Sequence, residues 1–299
     1  MKRRVIKQGN NTLTITLPRK WAEKFNVKVG DELEVEEKVN SLIINCQKEI
    51  SLNKIKLDLD NLSPLINRTL LKIYEEGYDE VELSYSKSEL AQNIRPVLNE
   101  CIGFEIIQQG NKTCTIKDIS GILNFDFKTM LRRLFLILKG ILEDSYIFLQ
   151  NSDFETLKNI TFREFEVNKL SHVCLRYLNK KNDNDIKEAF NFYLVVYLLE
   201  LIGDDYKYFF DLILKKEIKL NDSLLKNYQK LNIFFNEVYT FVFDNTNKQK
   251  AVEASRNHIK LKQELNTLGR NDIQIIYFRL ILEKMIYILG TQLGKLNET

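Results

Sequence analysis

The stretch Val5–Ile44, VIKQGNNTLTITLPRKWAEKFNVKVGDELEVEEKVNSLII, decides the first part of the fold, because its turn residues fall at regular intervals. Gly9-Asn10-Asn11 supplies a turn. After it Leu13, Ile15 and Leu17 alternate with Thr12, Thr14 and Thr16, the period of two that marks a half-buried strand. Pro18 opens a short helix, RKWAEKFN, at a position where its missing N–H costs nothing. Val29-Gly30-Asp31 turns the chain into a second alternating strand, LEVEE, and SLIIN follows it. A module of about fifty residues buries little surface alone, so this one is expected to need a partner chain.

Charge is concentrated in the same region. Residues 1–28 carry Lys2, Arg3, Arg4, Lys7, Arg19, Lys20, Lys24 and Lys28 against Glu23 alone, a local balance of +7 in a chain whose net charge is +3. The remainder is therefore mildly acidic. A basic head on an acidic body fits a module that binds a polyanion, and it equally fits a solvated basic surface.

The rest of the chain divides by pattern. Over 50–120 strands and helices alternate: KIKLDL, a helix between Ser63-Pro64 and Gly77, EVELSYS, a helix around Glu89–Cys101, then FEIIQQ and KTCTIKDI joined by Gly110-Asn111. This is the pattern of a small α/β connecting domain. From about Phe125 the spacing is purely helical, as in Met130, Leu131, Leu134, Phe135, Leu138 and Leu142. Breaks near 151–152, 180–185, 219–222, 245–247 and 269–271 predict six helices in two consecutive three-helix bundles over 121–299. The whole reads as a multidomain α+β chain: a β module at 1–49, an α/β segment at 50–120 and an all-α domain at 121–299. With only 11 Gly and 3 Pro, long uninterrupted helices are favoured.

Several function classes find no support. Cys46, Cys101, Cys114 and Cys174 are scattered with no CxxC pair, which excludes a zinc finger and suits free thiols in a reducing, cytoplasmic compartment. MKRRVIKQGNN lacks the apolar stretch of a signal peptide, and the longest uncharged apolar run, Ala189–Leu199, is too short to cross a bilayer. The phosphate-loop, dinucleotide, serine-hydrolase and zincin signatures are absent and no catalytic set is visible, so an enzyme is not expected. The aromatic-rich stretch with Phe190, Phe192, Tyr193, Tyr197, Tyr206, Tyr208, Phe209 and Phe210 reads first as core packing, with some tyrosines available to an interface.

Residues 1–48 resemble the AbrB/SpoVT swapped-hairpin family through Gly9, the Leu17-Pro18 step, the short helix, Val29-Gly30-Asp31 and the closing apolar strand. The resemblance implies that two chains interleave their hairpins into one dimeric barrel whose basic end contacts DNA. By position Lys2, Arg3, Arg4, Lys7 and Arg19 would make those contacts, with Arg3, Arg4 or Arg19 able to read guanine edges. The alternative is a hairpin kept only as a dimerisation device.

The helical half resembles PhoU, through REFEVNKLSHVCLRYLN at 163–179, LLELIGDDYKYF at 198–209 and RLILEKMIYIL at 279–289. It is similar above all to archaeal proteins that join this hairpin to a PhoU domain, and RTLLKIYEEGYDEVEL and CIGFEII resemble what those proteins place in between. The resemblance implies a link to phosphate homeostasis and a phosphate-transport or sensor protein as partner. It also implies divalent or ferric ions held by Glu/Asp-x-x-x-Asp repeats, whose carboxylates one helical turn apart can meet one cation. Glu200 and Asp204 keep the repeat, Glu164 and Asn168 keep half of it, and Glu283 is followed four residues on by Tyr287. His172, one turn beyond Asn168, could join such a set. The alternative is a buried polar network without metal. The expectation is a homodimeric DNA-binding regulator related to phosphate uptake. The alternatives are a PhoU-like adaptor that binds no DNA and, less well fitted to a long folded chain, an antitoxin.

Overall fold

A computed structural model of the chain describes residues 2–9, 11–38, 41–45, 53–92, 94–120, 126–180, 186–216, 221–243, 247–268 and 272–294. The divisions expected at 49/50 and 120/121, together with Asn10, Cys46 and most of the expected interhelical breaks, lie at or outside the limits of those residues. The chain forms two compact units, Met1–Leu52 and Asn53–Thr299.

In the first unit β1 (Ile6–Gln8) pairs antiparallel with β2 (Thr12–Thr14), Ile6 opposite Thr14 and Lys7 opposite Leu13. Gly9 has φ +74°, a left-handed conformation that suits glycine at this turn. The strand expected over Thr12–Leu17 ends at Thr14, because β1 offers only three residues to pair with. Extended chain leads to Pro18, whose carbonyl accepts from Trp21 and Ala22 as α1 (Arg19–Lys24) begins. Asn26 and Gly30, with φ +49° and +94°, turn the chain, and Asp31 Oδ2 accepts from the Lys28 N–H at 2.6 Å. A second hairpin follows, β3 (Glu34–Lys38) with β4 (Ser41–Asn45), Val35 opposite Ile44. The two hairpins form separate two-stranded sheets.

The second unit begins with a four-stranded sheet in the order β5 (Lys54–Asp58), β6 (Glu80–Ser84), β8 (Thr113–Asp118), β7 (Phe104–Gln109). β5 and β6 are parallel and joined by α2 (Ile66–Glu75); the other pairs are antiparallel, with a register shift between Ile106 and Gln108. Gly77, at φ +88°, ends the turn after α2 as expected of a helix-terminating glycine. Over the span expected as a helix around Glu89–Cys101 the described residues are helical at α3 (Ser88–Gln92) and α4 (Ile94–Leu98), and Asn93 between them lies outside the described residues.

Among the described residues seven helices follow where six were expected: α5 (Phe127–Asn151), α6 (Phe154–Thr161), α7 (Glu164–Lys180), α8 (Ile186–Leu214), α9 (Asp222–Phe243), α10 (Lys248–Thr267) and α11 (Ile273–Gln292). The additional break falls at Phe162-Arg163. There Arg163 N–H closes on the Ile160 carbonyl three residues back, and its guanidinium reaches Asp144 on α5 at 2.6 Å. Helix α7 restarts beyond that tightened turn. Helices α5, α7 and α8 pack together, as do α9, α10 and α11, and α8 lies on α11 as α5 lies on α9, so both groups share one interior. Tyr206, Phe209, Tyr228 and Phe278 meet at its centre with ring centroids 5.1–6.0 Å apart, while Phe190, Tyr197 and Tyr208 of the same aromatic-rich helix stay exposed. The α/β layer belongs to this same unit, with α2 packed on α7.

Candidate functional site

Two places in the molecule collect charged groups. The first is the hairpin module, in which no described side chain is buried. Leu13 is 71% exposed and Leu42 64%, and Val5, Ile6, Ile15, Val29 and Val35 are open as well. Strand-forming apolar residues in such number have no partner within one chain, and a surface of this kind marks an interface. Lys2, Arg3 and Arg4 run exposed into β1, and Lys7 stands exposed on it. Among the described residues no carboxylate pairs with these four. Arg19 differs: its Nε donates to Glu23 Oε1 at 2.7 Å, one turn along α1. Both partners are well exposed, so the pair contributes at most about 1 kcal/mol and yields readily to a stronger anion.

The second place is the seam between α7, α8 and the α/β layer. The four candidate ligands Glu164, Asn168, Glu200 and Asp204 sit on facing stretches of α7 and α8. Glu164 is 5% exposed, and both its oxygens are engaged: Oε1 accepts from Asn168 Nδ2 at 2.7 Å and Oε2 from Lys207 Nζ at 2.7 Å. Burial, with a hydrogen bond shared with Glu164, pushes the Asp204 carboxyl up to about 6. Burial likewise lifts Glu200 to about 7; the charge of His172 opposes the rise, and Asp204 and Glu75 add to it. His172 is enclosed between Glu75 on α2, 2.8 Å from Nδ1, and Glu100, 3.5 Å from Nε2. Burial draws its imidazolium down, but the bonds to Glu100 and Glu75 prevail and raise it to about 9.

One and two turns further along α7 lie Arg176 and Lys180. The guanidinium of Arg176 is fully buried; it donates to the Tyr74 carbonyl at 2.7 Å and to Asp118 Oδ2 at 2.7 Å, with Asp79 Oδ1 at 3.5 Å. It also lies over the rings of Tyr74 and Phe104, 4.8 and 5.0 Å from their centroids. Lys180 pairs with Asp79 too. Burial works against ionisation of Asp118, yet the hydrogen bonds from Ser120 and Arg176 hold it below the usual carboxylate range. His172, Arg176 and Lys180 thus form a cationic stripe at spacing four that fastens α7 to the acidic side of the α/β layer. The stripe stands in HVCLRYLNK of the sequence; its partners lie about 60–100 residues earlier and carry no local signal.

These side chains fit a bound metal poorly, although Asn168 Oδ1 is buried there without a hydrogen-bond partner. Among the described residues no three His, Cys, Asp or Glu groups are placed to hold one. The amide of Asn168 turns its N–H toward Glu164, and neither ring nitrogen of His172 is open. Glu283 is paired with Lys262 at 2.5 Å, and Tyr287 is exposed. Cys101, Cys114 and Cys174 are buried free thiols. Among the described residues no helix is long and apolar enough to cross a membrane.

Residues 6–49 match a family model described as antidote-toxin recognition MazE, bacterial antitoxin. The match covers the hairpin module alone and supports an AbrB-type swapped-hairpin domain at the start of the chain, one that fits a DNA-binding regulator or an antitoxin-like protein. Neither the curated proteins nor the solved structures contain a match to this chain.

Proposed function

We propose that the protein is a homodimeric, cytoplasmic transcriptional regulator that binds DNA through the hairpin module and acts without catalysis. The observation that carries this reading is the state of that module: a swapped-hairpin-type sequence whose apolar side chains have no interior in one chain and whose Lys2, Arg3, Arg4 and Lys7 have no counter-charge among the described residues. A second copy would supply the missing half of the core and double the number of cations along one edge. Phosphates would take up Lys2, Arg3, Arg4 and Lys7, with affinity driven largely by counter-ion release. Arg19 would exchange Glu23 for the nucleic acid, and arginine is the side chain suited to reading guanine.

The helical body would sense or relay the signal. Its likeness to PhoU supports a link to phosphate homeostasis and a transport or sensor protein as partner. The stripe of His172, Arg176 and Lys180 supports coupling inside the body, since a shift of α7 carries the α/β layer with it. Such a relay works only if the effector or partner binds two conformations with different affinity.

The test is binding of the full-length protein to genomic DNA fragments across a salt series, beside an Arg3→Glu/Arg4→Glu/Arg19→Glu variant. A dimer contacting 6–10 phosphates loses roughly 10³–10⁵ in affinity between 50 and 200 mM salt. A fall of that order, with binding lost in the variant, supports the regulator. Weak binding equal in both proteins contradicts it. The adaptor that docks on a phosphate transporter, or the antitoxin favoured by the description of the matched family, then takes its place.

A further inference from the structure

On α7 the carboxylate of Glu164, which a metal ion would join, is already served by side chains. We propose that Lys207 is a resident counter-ion, its ammonium holding the position at the α7–α8 seam that a bound divalent or ferric ion would otherwise take, so that the body closes this seam without metal. The inference takes from the PhoU-like reading only which residues stand at metal-binding positions, and it is independent of the DNA-binding role of the hairpin.

Three observations converge on it. Glu164 is buried with both oxygens occupied, one by the Lys207 ammonium and one by the Asn168 amide, each at 2.7 Å. A cation approaching Oε1 would meet the partial positive charge of an amide N–H, and one approaching Oε2 would meet a full one. Lys207 also follows Asp204 by three residues on α8, so the ammonium that bonds Glu164 exerts its charge on Asp204 as well. The flanking groups are committed in the same way: His172 spans Glu75 and Glu100, and Asp205 receives Lys284 of α11 at 2.5 Å. An ion entering the cluster has to displace a cation tethered to the chain, whose effective concentration is far above that of free metal in solution. The seam is open where such an exchange would occur, for the Lys207 side chain is 39% exposed.

The experiment uses the full-length protein and MnCl2 as probe, followed by thermal unfolding and by metal content after desalting. A site with Kd a hundredfold below the Mn²⁺ concentration raises Tm by roughly 5–10 °C. The wild-type protein is expected to retain no manganese and to show no saturable rise. Lys207→Ala is expected to melt lower in metal-free buffer and to gain a saturable Mn²⁺-dependent rise, which Lys207→Ala/Glu164→Gln loses. If Lys207→Ala fails to fold, Lys207→Gln keeps the length of the side chain and answers the same question. A saturable rise in the wild-type protein that Glu164→Gln abolishes would overturn the proposal. So would a folded Lys207 variant that stays as unresponsive as wild type.

Discussion

The hairpin module and the helical body are built on opposite principles. In the module the strands pair in register, yet no described side chain is buried, and Leu13 and Leu42 stand in the open. In the body an interior runs without interruption from Leu59 in the α/β layer to Leu289 in α11, and even a guanidinium is fully enclosed. Local sequence therefore sets secondary structure equally well in both, while only the body closes a core from its own chain. On the proposed reading the module draws its stability from a second molecule, the body from its own packing. This difference separates what responds to protein concentration from what does not.

The largest expected effect breaks the body and spares the module. Arg176→Ala takes from buried Asp118 its close counter-charge, leaving it Lys180 at 3.8 Å, and weakens the hold on Asp79, a loss of about 3 kcal/mol. Urea unfolding followed through the tyrosine-rich core should show the body's transition moved by that amount and the module's left where it was. A shift of both together would mean that the two units do not unfold separately.

An effect of similar size sharpens the comparison through pH. The folded body raises His172 from its ordinary 6.5 to about 9, so the imidazolium contributes its full stability below about pH 6.5 and loses it as pH rises through 9. Glu200 and Asp204, raised to about 7 and about 6, act in the same direction, because the fold favours their protonated forms. The body should thus weaken as pH rises, through the two carboxyls up to about pH 7 and through His172 up to about 9. His172→Gln should remove about 3 kcal/mol of that slope between pH 6.5 and 9, measured as unfolding free energy against pH. A slope unchanged in the variant would show that the ring is not charged between Glu75 and Glu100.

What the sequence disclosed follows the same division. The hairpins, the α/β alternation and the long helices announce themselves through Gly9, Pro18, Gly30 and Gly77 and through hydrophobic periods of two and 3.6. The break between α6 and α7 has no glycine or proline to mark it. It rests on Arg163 and Asp144, which meet only once α5 and α6 have packed. The cluster was legible by half: Glu164, Asn168, Glu200 and Asp204 stand at helical spacing, but their meaning depends on Lys207, and that of His172 on Glu75 and Glu100. Whether a carboxylate awaits a metal or already holds an ammonium is decided by tertiary contacts. Spacing alone does not separate the two.

On this reading a second chain completes the module, and the body needs none. Equilibrium unfolding of the full-length protein at two concentrations a hundredfold apart tests it most directly, beside a Leu13→Asp variant. We expect a first transition that moves to higher denaturant with concentration and disappears in Leu13→Asp, and a second that does not move in either protein. A first transition independent of concentration, or one that survives Leu13→Asp, would contradict the account, because the module would then fold within one chain and would lose its reason to dimerise.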